Sequence, residues 1–145
     1  MTYRLLLILL PFCLAQGRNT IDWVMAERNL EKRANRAVEF ANHLLDVARK
    51  AYQKGDMQLT QSALQDLIGA VRLCDESLEA TGKDGRRSPK WFKRVEIGLR
   101  QLLRRLETFE FEASFDDRPP IVEASKVAQE VQQKVLLNIM TKEKR

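Results

Sequence analysis

Four stretches of this chain carry apolar residues that return every three or four positions, and that period commits each stretch to a helix with one buried face. In the first, from Thr20 to Lys54, the stripe is Leu30, Ala34, Ala37, Val38, Ala41, Leu44, Leu45, Ala48 and Tyr52. The second, about Met57 to Ala80, lines up Leu64, Leu67, Val71, Cys74 and Leu78. The third runs through Phe92, Val95, Leu99, Leu102, Leu106 and Phe109, and the fourth, about Pro120 to Lys142, carries Ala124, Val127, Ala128, Val131, Val135 and Ile139. Nowhere do apolar and polar residues alternate with the period of two that a half-buried strand requires.

The breaks between stripes have their own chemistry. In "KGD", Gly55 supplies the left-handed backbone that closes a helix and Asp56 can cap the next one. In "TGKDGRRS", the longest break, Ser88 is placed to cap a helix whose first residue is Pro89. In "SFDDRPP", Asp116 or Asp117 and the prolines open the last helix. Breaks this short join neighbours that run in opposite directions. The expected fold is therefore all-α, an antiparallel up-and-down four-helix bundle with a long first helix. That helix would overrun its partners near "IDWVM", Ile21 to Met25, and these apolar residues are expected to fold back on the bundle, a partner contact being the alternative.

The start of the chain reads as an address. Arg4 precedes an unbroken apolar run from Leu5 to Leu14, and Ala15 follows with the small Cys13 two positions before it, the order of a secretory signal peptide. A membrane-spanning helix needs about 20 apolar residues, so this run is too short to remain as an anchor. Residues 1–15 are expected to leave by cleavage between Ala15 and Gln16, and residues 16–145 to form a single domain with no transmembrane segment, in the periplasm or outside the cell. The residues before Cys13, Pro11 and Phe12, are too large for lipid attachment there. The chain holds 25 Lys and Arg against 20 Asp and Glu, a net +5 that falls to +4 when Arg4 leaves. Cys74 then has no intramolecular partner for a disulfide, and its place in a stripe marks it as a small buried hydrophobe.

The densest charge lies in "GRRSPKWFKR", at the start of the third helix. At 100° per residue Lys90, Lys93, Arg94, Arg100, Arg104 and Arg105 fall opposite the apolar line, and Arg86 and Arg87 precede them. Trp91 falls at the edge of the core stripe, where its ring can turn inward. Early cations and the late Glu107, Glu110 and Glu112 both oppose the helix macrodipole, so something must offset them. An antiparallel hairpin with the preceding helix would bring Asp75, Glu76 and Glu79 beside the early cations, and such pairing accounts for the charge. The alternative is an anionic partner bound to this face. Nucleic acid is the weakest anionic candidate, since no zinc-finger or RNA-binding signature accompanies the charge.

Catalytic and metal chemistries find little to stand on. His43 is the only histidine, and Glu39, His43 and Asp46 at one-turn spacing make a surface hydrogen bond as readily as a relay. A di-iron bundle needs Glu-x-x-His from two helices, and "EFANH" is one residue too long. Zinc, c-type haem and phosphate-loop patterns are missing. No catalytic residue, metal ligand or cofactor is therefore assigned.

Two partial resemblances fall on one stretch. "VARKAYQKGDMQLTQSALQDLIGA" resembles one helix-turn-helix unit of a tetratricopeptide repeat through Tyr52, Gly55, Asp56, Ala63 and Leu67, and a lone unit implies a helical hairpin within the bundle. Within it "LTQSA" is similar to the Leu-Thr-x-x-Gln motif of periplasmic helical stress chaperones, with Ala63 where that motif has Gln. As a whole, a signal peptide followed by helices joined through "GD", "RRSPK" and "FDDRP" resembles small uncharacterised exported bacterial helical proteins. The resulting expectation is a non-enzymatic exported bundle that binds a protein or an anionic cell-envelope component. The alternative is a carrier that holds a ligand or cofactor in the bundle interior.

Overall fold

The computed structural model describes residues 21–141, so the expected signal peptide and its cleavage site lie outside the described residues. The elements are α1 (Asp22–Met25), α2 (Leu30–Gln53), α3 (Met57–Ala80), α4 (Pro89–Glu112), a 3-10 turn (Phe115–Asp117) and α5 (Pro119–Met140). The fold is the expected all-α four-helix bundle, built from α2 to α5, and no strand occurs among the described residues.

The long first helix is corrected. It breaks between Ala26 and Asn29, because Asn29 takes an extended backbone and its side chain accepts the Lys32 amide at 2.9 Å, a helix start in mid-stripe. The Glu27 carboxylate reinforces the break by accepting the Asn29 amide at 3.1 Å and pairing with Arg36 at 3.1 Å. α2 is thereby 24 residues long, the same as α3 and α4. The severed piece, α1, folds back as expected: Val24 is fully buried, and the Trp23 ring meets Phe40 edge-on at 6.1 Å.

The "KGD" junction holds as expected: Gly55 has φ +77°, and the Asp56 side chain accepts the Leu59 amide at 3.0 Å. The caps of the other two are corrected. Ser88 stands at the cap position before Pro89, but its hydroxyl makes no capping bond and instead donates to the Glu31 carboxylate of α2. Neither Asp116 nor Asp117 caps α5. Asp117 accepts from the Tyr52 hydroxyl at 3.0 Å and from Ser114 at 2.5 Å, which pins the α4–α5 connection to the end of α2.

Helix directions alternate along the chain, yet the packing order is not the chain order. α3 packs on α2 and α5, and α4 packs on α2 and α5, which leaves α3 and α4 on a diagonal. Contacts along α2 and α4 run in step, from Glu31 with Ser88, through Asp46 with Arg105, to Arg49 with Glu112, so these neighbours are parallel. The 81–88 connection crosses the bundle end and touches both helices that it passes. Lys83 reaches Glu31 at 3.1 Å, and Gly85 lies so close to α5 that a Cβ there would sit 3.0 Å from the Ile139 backbone.

The interior is closed by side chains from all four long helices, with Leu45, Leu64, Leu67, Leu99, Leu102, Leu106, Phe92, Phe109 and Ile121 each at most 1% exposed. Cys74 is among them, fully buried and free. Burial pushes its thiol pKa far up, and the neighbouring Asp75 adds to the shift. Among the described residues no helix is long and apolar enough to cross a membrane.

Candidate binding surface

α4 has one buried line and one exposed line, and the exposed one carries the charge. Phe92, Val95, Leu99, Leu102, Leu106 and Phe109 are all buried, as their spacing requires. Lys90, Lys93, Arg94, Arg100 and Arg104 are exposed on the opposite side.

The expected pairing with α3 does not occur. Asp75 and Glu79 are bridged by Lys134 of α5, to Asp75 at 3.0 Å and also to Glu79. Those two carboxylates raise the Lys134 pKa, the Glu79 hydrogen bond most. The physical reason is the diagonal: α3 faces α5, and its acidic last turns meet the cation that α5 offers.

Of the eight expected site residues, three are held by neighbours within the chain. Arg86 pairs with Asp84 at 3.4 Å, and Asp84 also accepts the amides of Arg87 and Arg86, which hold its carboxyl below the usual range. Arg100 pairs at 3.2 Å with Glu96, a buried carboxylate that also accepts from Gln132 of α5 at 3.0 Å. Arg105 donates to the Asn42 carbonyl at 3.1 Å and side chain at 3.0 Å, and pairs with Asp46. The remaining five, Arg87, Lys90, Lys93, Arg94 and Arg104, form no ion pair among the described residues.

Trp91 is corrected in its surroundings. It is only half-buried, and its ring is flanked by Lys90 at 5.5 Å and Arg94 at 5.3 Å. The aromatic thus belongs to the basic surface and helps to hold its cations together.

Alongside this surface the parallel helices α2 and α4 leave an open groove of about 720 Å³. Val38, Ile97 and Gly98 give it an apolar floor, with Asn35, Glu39 and Asn42 on one rim and Arg94, Gln101 and Arg104 on the other. Gly98 creates the close approach beneath it, since a Cβ there would stand 2.6 Å from Val38 Cγ1. The groove depends on α2 and α4 being neighbours, which chain order did not indicate. Ile97, 45% exposed in the middle of a charged line, was the available signal for it.

Of the carboxylates expected near His43, Glu39 accepts from Asn35 at 2.8 Å, and Asp46 takes Arg105. Among the described residues no group of three or more His, Cys, Asp or Glu side chains gathers as ligands for a metal ion. No protein-family model, curated protein or solved structure matches this chain.

Proposed function

We propose that this is an exported, non-enzymatic helical-bundle protein that binds an anionic protein or cell-envelope component through the outer face of α4. The observation that carries the proposal is the set of cations that form no ion pair with a carboxylate among the described residues. Asp75 and Glu79, the groups that would have neutralised Lys90, Lys93 and Arg94, are bound to Lys134 instead. Like charges gathered on one helix face repel one another, and an anion from outside relieves that repulsion and is drawn in by it. The bundle interior is filled by its own apolar side chains, so the surface is where a partner docks. Export rests on the N-terminal pattern of Arg4, the apolar run and Ala15.

Retention on anionic phospholipid vesicles and on immobilised polyglutamate, each at physiological ionic strength, tests the binding. The wild-type protein is expected to bind at least one of them and to release with added salt. The variant Lys90→Gln/Lys93→Gln/Arg94→Gln is expected to lose binding while melting at the wild-type temperature. A wild-type protein that ignores both probes, or a triple variant that still binds, would refute the proposal. N-terminal sequencing of the exported form is expected to read from Gln16.

A further inference from the structure

The outer line of α4 has an order of its own. At 100° per residue Lys93, Ile97, Arg100, Arg104, Glu107 and Phe111 share one solvent-facing strip, and all six are exposed. Its first half is basic, and beyond Arg105 the helix and the turn after it carry Glu107, Glu110, Glu112 and Asp116. Two large apolar side chains punctuate the strip, Ile97 at 45% and Phe111 at 85% exposure, and Phe115 follows at 81%. Ile97 and Phe111 are two heptads apart, so they point the same way.

This arrangement opposes the helix macrodipole at both ends, cations at the start and anions at the finish. Inside the chain it is offset only in part: Arg49 of α2 takes Glu112, but α3 stands on the diagonal, and Lys90, Lys93, Arg94 and Arg104 form no ion pair among the described residues. A surface with a basic half, an acidic half and an apolar residue in each half is complementary to itself when turned end for end.

We propose that the outer face of α4 is the seam of a two-fold homodimer, with the α4 helices antiparallel and crossing at Arg104. Arg104 is the midpoint between Ile97 and Phe111, so each Phe111 lies against the partner's Ile97 and over the apolar floor of its α2–α4 groove. Glu107 falls level with the partner's Gln101, between its Arg100 and Arg104, and Asp116 falls near the partner's Lys93. The two macrodipoles then run in opposition, and each acidic half meets a basic half on either side of the crossing, where the two Arg104 side chains are neighbours and each lies near the partner's Glu107. A C2 contact of this kind uses one patch twice and closes on itself. The patch is one helix face, roughly 36 Å long and about 10 Å wide, small beside the ~800 Å² per partner of a standard interface. The dimer is therefore a weak, concentration-dependent one. The inference rests on the proposal that this face binds anions, and it names the acidic half of a second copy as the anion.

Sedimentation equilibrium of the purified protein over a concentration series tests it. The wild type is expected to show a monomer–dimer equilibrium that weakens with salt. Phe111→Ser, at a side chain already in solvent, is expected to weaken it roughly tenfold to a hundredfold without moving the melting temperature. Two charge variants give the decisive comparison. Lys93→Glu/Arg104→Glu makes the strip acidic, and Glu107→Lys/Asp116→Lys makes it basic; each alone is expected to stay monomeric, and an equimolar mixture is expected to dimerise. A wild type that remains monomeric, a dimer indifferent to Phe111→Ser, or a mixture that fails to associate would overturn the seam. If the wild type stays monomeric yet binds vesicles or polyglutamate, the seam falls and the anion-binding proposal stands. If the charge-swapped mixture associates and neither anionic probe is held, the seam is supported and binding to an external anion falls.

Discussion

Glu31 shows how one side chain can be invisible in a stripe and still anchor a fold. It is buried at the first turn of α2, where it accepts from Ser88 and pairs with Lys83 at 3.1 Å. The Ser88 hydrogen bond chiefly, and then Lys83, hold its carboxyl below the usual glutamate range against the opposing effect of burial. Ser88→Ala therefore acts through Glu31 rather than through a helix cap. We expect a loss of about 1.5 to 3 kcal/mol by chemical denaturation, the range for a hydrogen bond to a charged group. A folded-state pKa below the unfolded one gives stability that is complete above the ordinary carboxylate range and is lost as pH falls through the lowered value. Glu31→Gln should accordingly flatten the acid limb of the stability–pH curve measured by thermal melts. Cys74 was legible from its stripe alone, and its full burial makes the thiol slow to alkylate until the protein unfolds. Cys74→Ser should lose about 1 to 3 kcal/mol, because the hydroxyl would be buried in an apolar seam away from the water that hydrogen-bonds it in the unfolded chain.

Of the helices, α4 matched its sequence pattern most closely, while α2 departed from its pattern in where it starts and in the width of its buried face. The buried line of α4 follows from spacing because only one side of it faces the core. α2 is covered by α1, α3 and α4, so its buried face widens to include Phe40 and Ala51, and a stripe drawn for one neighbour misses both. Gly98 belongs to the same contact. In a helix interior glycine is unfavourable by up to about 1 kcal/mol relative to alanine, so its presence on α4 needs a packing reason, and Val38 supplies it. Valine is stiff at χ1 and cannot swing aside. Gly98→Ala is expected to destabilise by about 1 to 3 kcal/mol despite the better helix propensity. Val38→Ala in the same chain should return part of that loss, and a double-mutant cycle on urea midpoints would measure the coupling. Additive effects of the two substitutions would mean that α2 and α4 do not meet there.

The chain announces four helices but not which of them touch, because periodicity gives each helix a face and says nothing of a diagonal. Short connections suggested that every consecutive pair would pack, and that held for α2 with α3 and for α4 with α5. It failed for α3 with α4, whose connection is long enough to cross the bundle end and small enough at Gly85 to slip beside Ile139. The charge pairing expected between those helices failed with it, and the basic face remained. Parallel neighbours have an electrical consequence. The positive starts of α2 and α4 lie side by side at the end where Glu31 is buried, while the negative ends of α3 and α5 lie together across from them, next to Lys134. In a bundle whose every neighbour is antiparallel these partial charges would alternate and cancel. Here they add, giving that end a transverse field directed from the α2–α4 side to the α3–α5 side, and the opposite end a field of the reverse sense. An anion approaching that end is drawn toward the α2–α4 side, where α4 displays the cations that form no ion pair among the described residues.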